Sequence, residues 1–309
     1  MTAVTTTRAG FRRRGELEVL AWASLDALDV DVMVTTRHGG VSSGPYATLN
    51  LGLHVGDDPA SVLENRRRVA AALGADLGDF VFCEQSHGNQ VKIVSAADRG
   101  RGTLRRHDAI GQTDAVVTTD PGTVLVVLVA DCVPIVLYDP QAQVLACVHA
   151  GWRGTVAGVT GAALHTMRSL GAQPGRILAG IGPAVAADRY QVGAEVAAEA
   201  ARYFSGDLAG IMRADGTEPT STEPSSTEVS STELSSTEPA STGRWLFDLP
   251  AANRRLLRES GVPDSQIQMA PGPTGTGPGT GPGYFFSDRE ARPCGRFAAV
   301  ARLRPREGE

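Results

Sequence analysis

Long apolar runs are missing from this chain of 309 residues. The longest, Val124 to Ala130, falls far short of the ~20 residues needed to cross a bilayer. Arg12-Arg13-Arg14 is not followed by an apolar stretch that would serve as a signal-peptide core. Cysteine is scarce. Cys83, Cys132, Cys147 and Cys294 are the only four, and no C-x-x-C pair occurs, which is unlike a secreted disulfide framework. A reducing, cytoplasmic setting is therefore expected. Lysine is nearly absent, with Lys92 alone among 29 basic residues, which we read as a genomic coding bias. An excess of one charge is lacking too. The net charge is -5, and Glu218, Glu223, Glu228, Glu233 and Glu238 share one segment. The remainder is close to neutral, which argues against nucleic-acid and membrane partners. Neither a G-x-x-x-x-G-K nor a G-x-G-x-x-G spacing occurs, so there is no Walker or dinucleotide fingerprint.

What is present organises around Ala130-Asp131-Cys132-Val133-Pro134 and Val148-His149-Ala150-Gly151-Trp152-Arg153-Gly154. Ile135–Tyr138 and Val144–Val148 read as the two strands of a hairpin, with Asp139–Ala142 as its turn. A turn centred between Pro140 and Gln141 sets Cys132 directly opposite His149, with β-carbons roughly 4.5–5.5 Å apart. A thiolate and an imidazole at that spacing can share one metal ion or act as a nucleophile–base pair. His87 lies at a Gly-marked bend between two strands. His38, His54, His107 and His165 lack comparable partners.

Residues 1–15 read as a disordered start and 16–309 as one domain. Within it, Val30–Thr36 alternates like a half-buried strand and runs into a Gly- and Ser-rich loop that carries Arg37 and His38. Asp57 or Asp58 can cap a helix that ends near Leu73 and Gly74. Asn65-Arg66 on that helix reads as a solvated pair. Thr123–Val129 is apolar on both faces, as a central strand is. A helix is expected from about Thr155 to Leu170, with Arg153 beside its anion-attracting start. Residues 217–242 repeat an approximate Ser-Ser-Thr-Glu-x pentapeptide, and 271–283 are rich in Pro, Gly and Thr. Both are expected to be disordered insertions. Interspersed strands and helices with hairpins point to a mixed α/β sandwich.

Several short motifs occur in one order. They are Thr35-Thr36-Arg37 with Gly39-Gly40-Val41-Ser42, Leu49-Asn50-Leu51, Asn65-Arg66, and Gln85-Ser86-His87-Gly88. After these come Ala130–Pro134, His149–Gly154, Gly180-Ile181-Gly182-Pro183, Phe285-Phe286-Ser287 with Arg289, and Gly295-Arg296. In this the chain resembles the multicopper-oxidase laccase-domain or polyphenol oxidase family, also described as purine nucleoside phosphorylases. The resemblance implies a single-domain α/β/β/α sandwich with mixed sheets. It implies a zinc site at His87, Cys132 and His149, with copper as the older assignment. It also implies phosphorolysis of adenosine, inosine, guanosine and methylthioadenosine, and deamination of adenosine. In that frame zinc would lower the pKa of a bound water for attack on the purine, and Asp131 would carry a proton or orient a ligand. Arg37, Asn50, Arg66 and Arg153 would hold phosphate or ribose. A related branch edits peptidoglycan precursors, which keeps open a Cys132–His149 hydrolase. Multicopper oxidase chemistry is disfavoured, because six histidines cannot supply its several copper sites. Two departures stand out. Met269-Ala270 replaces a Cys-Thr pair, and Asp288 follows Phe-Phe-Ser where Tyr or His is usual.

Overall fold

The computed structural model describes residues 9–216, 243–276 and 283–305. They divide into two compact units, the larger from residues 9–185 with 249–305 and the smaller from 186–248. The larger unit contains two six-stranded mixed sheets. In the first, β1 (Gly10–Arg14), β2 (Leu17–Ala21), β3 (Val30–Thr35), β15 (Phe297–Leu303) and β7 (Val124–Val129) run antiparallel to their neighbours, and β4 (Phe80–Val81) joins β7 in parallel. The second runs β14 (Ile267–Met269), β10 (Leu178–Ile181), β8 (Val133–Asp139), β9 (Val144–Ala150), β6 (Ala115–Thr118) and β5 (Val91–Ile93). Its outer pairs, β14 with β10 and β5 with β6, are parallel.

The strand period of two sorts side chains between layers. Leu125, Val127 and Val129 of β7 and Phe297, Ala299 and Ala301 of β15 face the core shared with Val136 and Tyr138 of β8 and Leu145 and Cys147 of β9. The alternate residues Val124, Val126, Leu128, Ala298 and Val300 face the other way, against Val69, Ala70 and Leu73 of α2 (Pro59–Leu73). Both faces of the first sheet are thus covered, which explains why β3 is buried along its whole length. Its expected half-solvated pattern is corrected for the same reason: Asp31 is buried as well, paired with Arg302 at 2.6 Å.

The outer side of the second sheet is lined by α4 (Val159–Ser169), which packs on β9, β6 and β5 and on α6 (Leu249–Glu259). Asn253 of α6 accepts a hydrogen bond from Thr160 of α4 at 2.7 Å. It donates one at 3.0 Å to Thr155 of α3 (Trp152–Val156). The short α1 (Ala23–Asp26) packs on β3 and β10. This is the mixed α/β sandwich that the element order predicts.

Local signals set several boundaries. Asp58 caps α2 by accepting from the Ala60 and Ser61 N–H groups, and Gly74 ends it at φ 62°. The single helix expected from Thr155 to Leu170 is instead two, separated at Gly158 with φ 83°. Residues 10–14, expected to be a frayed start, pair with β2 as a regular edge strand. The smaller unit has its own sheet of β11 (Gln191–Val192), β13 (Trp245–Phe247) and β12 (Met212–Ala214), together with α5 (Ala194–Tyr203). The expected insertion at 217–242 lies outside the described residues, as do 277–282 of the second one. Residues 271–276 are placed, and the Thr274 N–H bonds to the Ala184 carbonyl at 2.9 Å.

Candidate metal centre

The hairpin of β8 and β9 brings two of the three expected ligands together, in a register shifted by two residues. Pro134, and not Cys132, stands opposite His149. The four-residue turn 140–143, with Gln143 at φ 53°, sets this pairing. A shift of two keeps every side chain on its own face, whereas a shift of one would have turned Cys132 away. Cys132 therefore meets His149 along the diagonal, within reach of a long imidazole. His87 comes from the loop between β4 and β5 and has φ 61°. Its ring lies 4.8 Å from that of His149, edge to face at 78°. One donor atom from each of His87, Cys132 and His149 lies within 4.8 Å of the other two.

A glycine makes this approach possible. A β-carbon on Gly151 would stand 2.9 Å from Cys132 Sγ and 2.9 Å from His87 Cδ2. On Gly154 it would stand 2.9 Å from the Gly88 carbonyl oxygen. The turn into α3 is therefore bare where the ligands and the His87 loop press against it. Gln85 fixes the other side of that loop. Its amide donates to the Leu128 carbonyl at 2.7 Å and accepts from the Leu128 N–H at 2.8 Å, as a neighbouring strand would.

The residue that unites the cluster is Asp114, immediately before β6. Its Oδ1 lies 2.8 Å from His149 Nδ1 and 2.9 Å from the His87 N–H. Its Oδ2 accepts from the Ser86 N–H, the Ser86 hydroxyl and the Gly88 N–H at 3.2, 2.9 and 2.7 Å. An ionised carboxylate can only accept, so His149 Nδ1 is the donor and Nε2 is left for the cluster. Burial would raise the Asp114 carboxyl, but the His149 hydrogen bond and charge, with Gly88 and Ser86, hold it below the ordinary 3.8.

The electrostatics suit a metal ligand. Burial by itself would push the Cys132 thiol up, but charge and hydrogen bonds from His149 and His87 lower it from 9.0 to about 6. Burial would lower His149, but the Cys132 charge and the Asp114 hydrogen bond raise it to about 9. Both shifts favour the thiolate of Cys132, the form of cysteine that binds a metal. A thiolate and two imidazoles are a soft, nitrogen–sulfur donor set of the kind zinc takes, and copper also accepts it.

The other expected site residues separate into two groups. Arg153 is exposed, two residues after Gly151, with its guanidinium 4.5 Å from the Trp152 ring. Arg37 donates from Nε to the Ala47 carbonyl at 3.0 Å and lies 4.7 Å from the Phe286 ring. His38 packs edge-on against Tyr284. Arg66 and Asn50, by contrast, are buried, with 3% and 0% exposure. Arg66 donates to the carbonyls of Leu51, Gly102 and Thr103 and lies over the Phe82 ring at 3.8 Å. Asn50 accepts from the Gly52 and Arg296 N–H groups and donates to Asp57. Both side chains tie loops to the core, and the solvated pair expected at Asn65-Arg66 is instead buried. The same holds for Asn65, which bonds Val41, Ser42, Thr48 and Asn50. The Asp131 carboxylate accepts from the Thr274 hydroxyl and the Arg289 N–H, and the carboxylate that meets His149 is that of Asp114.

The family profile described as multi-copper polyphenol oxidoreductase laccase matches residues 31–304. The chain belongs to this family. A Deinococcus radiodurans protein named purine nucleoside phosphorylase is 38% identical over 275 residues, covering 89% of this chain and 90% of its own. The Geobacillus stearothermophilus purine nucleoside phosphorylase YlmD is 35% identical over 238 residues, covering 77% and 78%. Among solved structures, YlmD superposes with a TM-score of 0.78 at 32% identity, over 96% of this chain and 99% of its own. The hypothetical protein YfiH of Bacillus licheniformis reaches 0.79 at 29% identity, over 95% and 99%. No described helix is long and apolar enough to cross a membrane.

Proposed function

We propose that the chain is a cytoplasmic purine nucleoside phosphorylase in which His87, Cys132 and His149 hold a zinc ion. The observation that carries the reading is the convergence of three donor atoms within 4.8 Å, on a hydrogen-bonded carboxylate that fixes one imidazole and the loop of the other. The names of the D. radiodurans and G. stearothermophilus relatives supply the substrate class. When bound, zinc would supply Lewis-acid chemistry at the cluster. The rest falls to the chain. Asp114 keeps His149 Nε2 turned inward. Gly151 leaves the space into which Cys132 Sγ and His87 fit. Arg153 and Arg37 are the cations available to phosphate and to the ribose hydroxyls, and a guanidinium suits phosphate because it can bind two oxygens at once. Phosphate attacks C1′ of the ribose as the purine leaves. We further infer that adenosine, inosine, guanosine and methylthioadenosine are substrates, and that adenosine is also deaminated.

The test is metal analysis of the purified protein, together with incubation with adenosine and phosphate and chromatography of the products, for the wild type and Cys132→Ala. About one zinc per chain, with adenine, inosine or hypoxanthine formed and both signals lost in the variant, is expected. Copper in place of zinc would be read in the same metal analysis. A metal-free, inactive protein overturns the reading.

One arrangement favours a second reading. Cys132, His149 and Asp114 stand in the order of nucleophile, base and orienting carboxylate. Metal-free protein that cleaves an amide in a peptidoglycan precursor would select this hydrolase.

A further inference from the structure

The chain passes from the first sheet to the second in three residues, Ala130, Asp131 and Cys132, between β7 and β8. Asp131 makes the corner at φ 94°. That left-handed conformation is strained for a residue other than glycine, and such strain gathers at functional positions. Three distant segments converge on this residue. Its carbonyl accepts from the Val185 N–H at 3.0 Å. Its Oδ1 accepts from the Thr274 hydroxyl at 2.5 Å, and its Oδ2 from the Arg289 N–H at 2.6 Å. Thr274 and Arg289 lie on opposite arms of one chain excursion. Glu290 ties the same two arms again, its oxygens accepting from the Thr276 N–H at 2.9 and 3.1 Å. The segment that begins with Tyr284, whose carbonyl accepts from the Arg37 N–H at 2.8 Å, is thereby registered on the immediate neighbour of Cys132.

We propose that Asp131 is a positioning residue, which fixes Thr274 and the segment 284–289 relative to Cys132, and that it does not carry a proton in the reaction. Both of its oxygens already accept short hydrogen bonds. One of the donors is a backbone N–H, which cannot pass a proton on. The left-handed backbone holds the carboxylate at a single angle toward both arms. A neutral amide keeps one accepting oxygen for the Arg289 N–H, and its NH2 group can face only a Thr274 hydroxyl turned round to accept, so Asp131→Asn weakens the ties to both arms. Thr274→Val removes the tie to the Thr274 arm alone at nearly constant shape.

The experiment uses the full chain and compares wild type, Asp131→Asn and Thr274→Val. It measures metal content, amide hydrogen exchange in peptides covering 271–276 and 283–290, and nucleoside kinetics. Metal content should stay at the wild-type level. Exchange should accelerate in both peptides, and KM should rise roughly tenfold with kcat within about threefold. Thr274→Val should move the same readings by less, and it serves if Asp131→Asn does not fold. Unchanged exchange overturns the proposal. So does loss of metal, which would make Asp131 an orienter of Cys132. So does a hundredfold fall in kcat with one limb of the pH profile lost, which would make it a proton carrier. Only the kinetic arm rests on the phosphorylase reading. If the wild type releases no base from nucleosides, that reading fails while the exchange comparison still decides this one.

Discussion

Two buried polar clusters underlie the family motifs, one around Arg66 and one around His149. Both side chains are 3% exposed, and both are surrounded by motif residues. Around Arg66, donors meet acceptors within the chain: the guanidinium takes three loop carbonyls, and Asn50 and Asn65 take the rest. Around His149, Asp114 satisfies only the far nitrogen, and Nε2, the Cys132 sulfur and the His87 ring are left facing one another. The first cluster closes on itself and stabilises loops. The second sets one thiol and two imidazoles against one another, a donor set that could hold a metal ion. A recurrent motif therefore marks structure or chemistry equally well. What separates them is whether the hydrogen-bonding capacity has been used up.

The sharpest way to break this contrast is to remove a ligand. Cys132→Ala or His149→Ala should abolish stoichiometric metal and nucleoside turnover, while Arg66→Ala should leave the metal in place. Metal analysis of the three variants reads this directly, and metal retained in Cys132→Ala would sink the site. Next in size are changes that leave the ligands intact but spoil their support. Asp114→Asn turns an NH2 group against N–H donors of the His87 loop, and Gly151→Ala forces a carbon within 2.9 Å of two ligands. Each should weaken metal affinity by about 10–100-fold in a chelator competition.

A smaller effect separates the cysteines. In metal-free protein, alkylation of Cys132 should reach half its maximal rate near pH 6, because its thiol is lowered to about 6. The acid form then dominates below that pH and the reactive thiolate above it. Cys83, pushed up to about 12 by burial and the Asp114 charge, should stay unreactive in the same assay. His149→Ala should move the Cys132 midpoint back toward the ordinary 9.0. The smallest effect on the site comes from the other cluster. Arg66→Ala strands three buried carbonyls and should cost about 3 kcal/mol of stability, read by denaturant unfolding, with the metal content of the folded protein unchanged.

Much of the layout is legible in the sequence. The twofold alternation of apolar residues in β7 and β15 follows from their positions between two cores, and Asp58 and Gly74 bracket α2 as their backbone preferences require. The three residues of the cluster are legible as well, His87 through its motif and the other two through the hairpin. The hairpin register is off by two, because the turn type depends on Gln143 adopting a positive φ, for which the sequence carries no strong signal. The error did no harm to the site, since a shift of two preserves the face.

Asp114 is the instructive omission. It is separated from His87 by 27 residues and from His149 by 35, and no local pattern marks one Asp at a strand start as different from another. Arg66, Asn50 and Asp131 are residue types that suit phosphate or proton chemistry, and no local pattern shows that their side chains also bond to distant parts of the chain.

The sequence by itself determined the chemical types present: one thiol and two imidazoles on loop and hairpin positions, strands apolar on both faces, and helices with their own start and stop residues. These depend on side-chain chemistry and on interactions a few residues apart. Only the tertiary structure decided which polar groups were already satisfied, which carboxylate faced the cluster and which faced Thr274 and Arg289. Those outcomes depend on contacts between segments far apart in the chain, and a buried polar group takes its role from the partner that packing brings to it.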